Sequence, residues 1–286
     1  PQRRHRYWPV RAKFAFALIA SVVWGVMAAV MAERWIADLA TKVGETMAYL
    51  MIYGIAVVPG FMNCFLVLSL VLDRRPPFEP DTLEGSLPPI TILVAAYNEA
   101  NNILSTLESL DRQVYDGEMS VIVVNDGSTD DTMERLKKVS YPWLQVLDLR
   151  RNMGKARALT TALRAVRTGI TITVDGDSYL YKNALNNLVR RYLSDPPNTR
   201  AVAGAVLVRN AKVNLVTKIQ EWDYFHGIAA VKRMQSLYQG TLVAQGAFSL
   251  YDTALLRRVG GWPHTVGEDI VLTWAILKEG YRVGYA

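Results

Sequence analysis

Residues 169–177, Gly169-Ile170-Thr171-Ile172-Thr173-Val174-Asp175-Gly176-Asp177, carry a β-branched run straight into two carboxylates that flank a glycine. Such a run favours a strand, and the Asp-Gly pair ends it. Comparable runs stand at 90–96, 120–125, 144–149 and 201–208, separated by amphipathic stretches at about 99–114, 129–139, 155–166 and 183–193. The alternation predicts an α/β sheet with helices on its faces. A long amphipathic helix is predicted near 215–237 and another from about 268 to 279. The first of these, with Trp222, Tyr224, Phe225, Lys232 and Arg233, could lie on a membrane surface or simply cover the sheet.

In sheets of this kind ligands gather at the carboxyl ends of the strands. Those ends are acidic here: Tyr97-Asn98-Glu99 follows the first strand, Asn125-Asp126-Gly127-Ser128 the second and Asp175-Gly176-Asp177 the fourth. Clustered carboxylates repel unless a cation or several hydrogen-bond donors share the space, which predicts a divalent metal with a phosphate-bearing ligand. Asp175 and Asp177 could hold Mg2+ or Mn2+ while leaving coordination positions for diphosphate oxygens; the plainer reading is an Asp-Gly turn. Ser128 is a candidate helix N-cap, and Asp126 before it could accept the imide N–H of a uracil. Asn152-Met153-Gly154-Lys155 opens a helix, where free N–H groups and a cation suit a phosphate, although Lys155 could equally be a solvated surface residue. Gly267-Glu268-Asp269 begins the last helix; acids there complement the helix dipole, or Asp269 is a base whose target hydroxyl must be held close and aligned. The stretch 242–248, which includes Gln245-Gly246-Ala247, reads as a buried strand with a glycine bulge, or as a close backbone approach to a sugar ring.

Several classes drop out. Apolar residues make up 51% and charged residues 20% of the 286 positions, which excludes disorder and fibrous repeats. The net charge is +6, but Arg3, Arg4, Arg6, Arg11 and Lys13 precede the first acid and leave only +1 for everything after residue 13. The folded part therefore has no basic excess suited to nucleic acid. His5, His226 and His264 are scattered and Cys64 is the single cysteine, so neither a zinc site nor an internal disulfide is expected. Leu149 stands where a P-loop needs its first glycine, and no GxGxxG occurs.

Residues 14–32 carry no charge and reach roughly 28 Å as a helix, enough for a bilayer. A mixed-charge loop with Glu33, Arg34, Asp38, Lys42 and Glu45 is expected next, then a second span over 47–72 kinked at Pro59-Gly60. The first run is too long for a signal peptide. Basic residues before the first span, and Arg74 and Arg75 after the second, place both ends in the cytoplasm by the positive-inside rule. The expected organisation is a basic tail (1–13), two transmembrane helices (14–75), a Pro-rich linker (76–89) and an α/β domain (90–286).

The ordered set Tyr97-Asn98-Glu99, Asn125-Asp126-Gly127-Ser128, Gly154-Lys155, Asp175-Gly176-Asp177 and Gly267-Glu268-Asp269 resembles the family 2 glycosyltransferases, with a Rossmann-like GT-A fold. The two leading spans and Lys218-Ile219-Gln220 through Lys232-Arg233-Met234-Gln235 resemble, within that family, the bacterial poly-β-1,6-N-acetylglucosamine synthases. Hyaluronan, chitin and cellulose synthases are neighbours. The resemblance implies an inverting transfer of a sugar, N-acetylglucosamine above others, from a UDP-sugar to a growing extracellular polysaccharide at the bacterial inner membrane, with the catalytic domain in the cytoplasm. It implies a nucleoside pocket lined by Tyr97 and Glu99, uracil contact by Asp126, nucleotide contact by Lys155 and Asp175, and Mg2+ or Mn2+ at Asp175 and Asp177. Asp269, with Glu268 beside it, becomes the general base, and Gln245, Gly246 and Ala247 the acceptor side. The lipid bilayer and an accessory membrane subunit are further expected partners. A non-processive transferase to a lipid carrier and a catalytically silent nucleotide-sugar sensor are the alternatives. Gly267 stands where Thr is common before Glu-Asp, and Ala95 where Pro is common before the aromatic-Asn-Glu motif; neither change removes a carboxylate. The Gln-x-x-Arg-Trp motif and later membrane helices of processive members would fall after Ala286, so the chain is read as a fragment, expected to bind nucleotide but not to polymerise.

Overall fold

The computed structural model describes residues 8–73, 86–209, 212–238 and 240–286. The chain divides into two compact units, residues 1–75 and 76–286. Arg3, Arg4, Arg6, Arg74, Arg75, Pro76, Pro77 and Pro80 lie outside the described residues.

The first unit is helical. Helix α1 (Val10–Val43) turns at Gly44 into α2 (Glu45–Ile52), which continues through a π-turn at Tyr53–Val57 into α3 (Val58–Leu72). Two helices, Val10–Val43 and Glu45–Leu72, are thus long and apolar enough to cross a membrane. The expected mixed-charge loop does not form: Glu33, Arg34, Asp38 and Lys42 continue α1, because residues 33–43 hold good helix formers and no Gly or Pro. The reversal comes at Gly44, whose φ of 85° a residue without Cβ adopts cheaply. The distortion expected at Pro59-Gly60 appears one turn earlier as the π-turn, since Pro59 has no N–H to give the carbonyl four residues before it. Packing is inverted relative to a water-soluble bundle. Ala17, Ser21, Ala32 and Ala48 are buried between the helices, whereas Ile19, Val23, Met31 and Ile55 face outward. Small residues let helices approach closely where the surroundings are themselves apolar.

The second unit begins with β1 (Ile90–Ala96), α4 (Ile103–Asp111), β2 (Met119–Asp126), α5 (Thr132–Lys137), β3 (Leu144–Leu149), α6 (Lys155–Leu163) and β4 (Ile170–Asp175). It continues with α7 (Ala184–Ser194), β5 (Thr199–Ala203), and one long helix made of α8 (Leu215–Asp223), a π-segment (Tyr224–Ala230) and α9 (Val231–Leu237). Strand β6 (Phe248–Asp252), α10 (Thr253–Arg258), α11 (Glu268–Lys278) and β7 (Arg282–Tyr285) complete it. The seven strands form one sheet in the order β3-β2-β1-β4-β6-β5-β7. Strands β1 to β4 run parallel, β6 runs antiparallel to both β4 and β5, and β7 is parallel to β5.

Alternation along β1 sends Ile90, Ile92 and Val94 to one face, against Leu107, Leu185 and Leu188, and Leu93 to the other, against Leu159, Leu255 and Ile276. Each such side chain contributes roughly 1.5–3 kcal/mol when fully buried.

Two strand expectations change. The run at 201–208 pairs only over Thr199–Ala203; the Gly204 amide still donates to the Phe248 carbonyl at 2.9 Å, under a ring so close that a Cβ there would sit 2.1 Å from it, and beyond Gly204 the chain leaves the sheet. The buried strand expected over 242–248 starts only at Phe248. Upstream of it the Ala244 and Gly246 amides donate to the Thr273 hydroxyl and the Asp269 carboxylate, so they are not free to build a ladder.

Candidate active site

Register places the ends of the parallel strands level: Ala95 lies opposite Asp175, Ala96 opposite Asn125, and Asn125 opposite Asp148. The loops leaving β1 and β2 are then joined by side chains. The Asn98 amide donates to Ser128 Oγ (3.0 Å), the Thr129 amide to Asn98 Oδ1 (2.9 Å), the Glu99 amide to Thr132 Oγ1 (2.8 Å) and the Ala100 amide to Asp130 Oδ2 (3.1 Å). Ser128 thus does not cap α5. That helix starts at Thr132, and the Asp130 carboxylate accepts from its N–H at 3.0 Å. Asn98 takes a φ of 56° to make the turn, a conformation Asn tolerates better than most residues.

Asp126 is buried, and both of its oxygens are engaged: Oδ1 accepts from the Met153 amide at 2.9 Å and Oδ2 from the Gly154 amide at 2.8 Å. A residue at the end of β2 therefore holds the turn that starts α6. From the first position of that helix Lys155 reaches back to the Asp175 carboxylate and forms an ion pair with it. Gly176, next in the chain, tucks beneath the loop after β1; a Cβ there would lie 3.0 Å from the Ala95 carbonyl and 3.1 Å from Glu99 Cγ. Glu99 is thereby packed beside the acidic strand end, while Tyr97 is half-exposed next to it.

Asp175 and Asp177 both line a cleft of about 960 Å3 whose other walls include Tyr179, Arg209, Tyr224 and Phe248. Arg209 lies 4.3 Å from the centroid of the Tyr179 ring. Among the described residues no three His, Cys, Asp or Glu side chains are grouped to hold a metal alone. Two carboxylates lining one cleft fit a cation that completes its shell with phosphate oxygens and water, in competition with Lys155 for Asp175.

The segment before β6 brings Ala247 to this cleft, and α11 is bonded to the same segment. The Ala247 carbonyl accepts from the Asp175 amide at 3.2 Å, which fixes this segment against β4. The Gly246 amide donates to Asp269 Oδ2 at 3.3 Å, and the Ile270 amide to Asp269 Oδ1 at 2.8 Å. A Cβ added at Gly246 would stand 3.0 Å from Lys155 Nζ and 4.0 Å from Glu268 Oε1. Lys155, Asp175, Gly246, Glu268 and Asp269 therefore meet at one place, although 114 positions separate the first from the last. Gln245 points the other way: its Oε1 accepts from Lys232 Nζ at 2.5 Å and its Nε2 donates to the Gly204 carbonyl at 2.8 Å. Burial pulls the Lys232 ammonium down to about 8, against the opposing influence of the Asp269 charge. Lys232, noted in the sequence only as part of the long helix and of its resemblance segment, and His264, whose Cε1 would lie 3.7 Å from a Cβ at Gly154, also border this site, and neither was expected there.

A family model described as glycosyl transferase family 2 matches residues 91–260. The poly-beta-1,6-N-acetyl-D-glucosamine synthase of Staphylococcus aureus is 32% identical over 241 residues, which cover 79% of this chain and 57% of that protein. The chain thus spans little more than half the length of the curated relatives it matches. Among solved structures, the mannosyltransferase PcManGT from Pyrobaculum calidifontis, in complex with GDP-Man and Mn2+, superposes with a TM-score of 0.61 at 22% identity, over 97% of this chain and 66% of that one. TarS of S. aureus gives a TM-score of 0.52 at 21% identity, over 69% of this chain and 35% of that one, and a shorter form of it has been solved with UDP-GlcNAc. At these identities the structural likeness establishes the fold, which is GT-A. The family match runs from β1 to the end of α10, through Asp126, Lys155 and Asp175, and by it the chain belongs to glycosyl transferase family 2.

Proposed function

We propose that the whole protein is an inverting glycosyltransferase that moves N-acetylglucosamine from UDP to the growing end of an extracellular polysaccharide. In this reading α1 to α3 sit in a bacterial membrane and the sheet works on its cytoplasmic side, where nucleotide sugars are made. The named polymer of the S. aureus relative and the UDP-GlcNAc bound to TarS support the choice of sugar and nucleotide. The observation that carries the mechanism is the meeting of the Lys155–Asp175 pair with Gly246 and Asp269.

Asp269 accepts the proton of the acceptor hydroxyl as that oxygen attacks the anomeric carbon. The new C–O bond forms on the face opposite the departing phosphate oxygen, the bonding pair leaves with UDP, and the configuration inverts. Such a displacement needs one base and no enzyme nucleophile. Lys155, at the start of α6, suits the diphosphate. Asp126, with two amides already bonded, serves chiefly to hold that turn, and a uracil imide would share its oxygens. Tyr97 and Glu99 flank the nucleoside. Asp175 and Asp177 would hold Mg2+ or Mn2+, which neutralises charge on the leaving diphosphate when bound. Gly246 lets the sugar approach the backbone, with Ala247 on the acceptor side, while the Gln245 side chain, also expected there, is turned to Lys232 and the Gly204 carbonyl.

In full-length protein in membranes, Asp269→Asn should retain UDP binding while transfer falls by about 10²–10⁴-fold. Undiminished polymer synthesis from UDP-GlcNAc would remove Asp269 from the mechanism.

A further inference from the structure

Among the described residues Lys232 is the only buried lysine or arginine. A buried ammonium costs desolvation that an apolar side chain of similar size would avoid, so its retention calls for a role. Lys232 stands on α9, and the acid whose charge acts on it is Asp269 on α11. An ammonium can only donate, so the amide oxygen of Gln245 must turn toward it and the amide nitrogen toward the Gly204 carbonyl. The Gln245 carbonyl in turn accepts from Ser249 Oγ at 2.7 Å. The next residue is Gly246, whose N–H donates to Asp269 Oδ2. Residues 242–247 belong to no strand; the Asp175–Ala247 backbone bond holds the segment on one side of Gly246, and the bonds made by Gln245 hold it on the other and so help to set where that N–H points.

We propose that Lys232 is a positioning residue for the transfer step: it orients Gln245, and through that turn the Gly246 amide that aims Asp269. The inference rests on the reading of Asp269 as the base. In this role Lys232 acts through the two residues between it and the carboxylate.

The test compares full-length wild type, Lys232→Met, Gln245→Met, Asp269→Asn and the Lys232→Met/Asp269→Asn double variant, with UDP-GlcNAc as donor. Lys232→Met and Gln245→Met should each lower kcat by about ten- to a hundredfold, the scale of a misplaced catalytic group, with the donor KM changed by less than about threefold. Adding Lys232→Met to Asp269→Asn should cost less than about a further threefold, because residues that act as a unit are not additive. Unchanged kcat in both single variants, a parallel loss of donor binding, or a full additional loss in the double variant would each overturn the proposal. If Lys232→Met does not fold, Gln245→Met decides alone. An active Asp269→Asn enzyme would instead overturn the reading of the site, whereas an inactive one beside a fully active Lys232→Met enzyme would overturn only the inference.

Discussion

The two halves of the sheet position their functional residues by different means. From β3 to β4 the strands are parallel and end level, and the loops leaving β1 and β2 hold one another through short side-chain bonds to backbone amides. From β6 to β7 the strands are short and of mixed direction, and the segment that carries Gly246 belongs to no strand, meeting β4 through the Asp175 amide and the Ala247 carbonyl. In the proposed reading one half frames the nucleotide; the other holds Asp269 through a turn set by Lys232, Gln245 and Thr273. Regular backbone pairing fixes a site cheaply but only at strand ends, so a group needed opposite those ends must be held by side chains.

The largest effect that tests this contrast is expected in the framed half. Asp175→Asn keeps the shape of the strand end but breaks the ion pair with Lys155, and should lower transfer at least about a hundredfold and weaken UDP binding, read by calorimetric titration. Near-normal UDP affinity would mean that the pair is not part of the nucleotide site.

Two glycines separate frame from turn more sharply. Gly127 has a φ of 67°, and a Cβ there would sit 2.5 Å from the backbone of Arg151, so Gly127→Ala should destabilise the second unit by more than about 2 kcal/mol in denaturant melts. At Gly246 the atom in the way is the tip of Lys155, which can move. Gly246→Ala should therefore change stability by less than about 1 kcal/mol yet lower kcat, since the displaced ammonium leaves Asp175. Equal effects of the two substitutions on stability would erase the distinction.

The smallest effect concerns pH. Burial lowers Lys232 from the ordinary 10.5 to about 8. Between those values the unfolded chain binds a proton that the native state does not, so stability relative to Lys232→Met should rise with pH across that window, by on the order of 1–2 kcal/mol, and be lost as pH falls through about 8. A flat difference between wild type and variant from pH 7.5 to 10 would show that Lys232 is not desolvated in solution.

Much of the framed half was legible in the chain. Strands at 90–96 and 144–149 match the expected bounds, and the acids after β1, β2 and β4 do stand at one edge of the sheet. The other half was not. Strands β6 and β7 are five and four residues long, too short to show a period against their neighbours. Lys232 has the sequence appearance of any lysine on an amphipathic helix, and only the packing of α9 onto the β5–β7 side buries it. In the first unit the charges after residue 32 suggested a loop, whereas local helix propensity carried α1 on to the first glycine.

By itself the sequence determined the fold class, the family and the strand ends at which acids gather, because periodicity and strand-end chemistry are local properties of the chain. Only the tertiary structure decided that Lys155 pairs with Asp175, that Asp126 spends its oxygens on the α6 turn, and that Gly246 joins Lys155 to Asp269. Those contacts close long loops. The first two are set by the crossovers that lay β2, β1 and β4 side by side, and the third by the return of the segment before β6 and of α11 to the sheet.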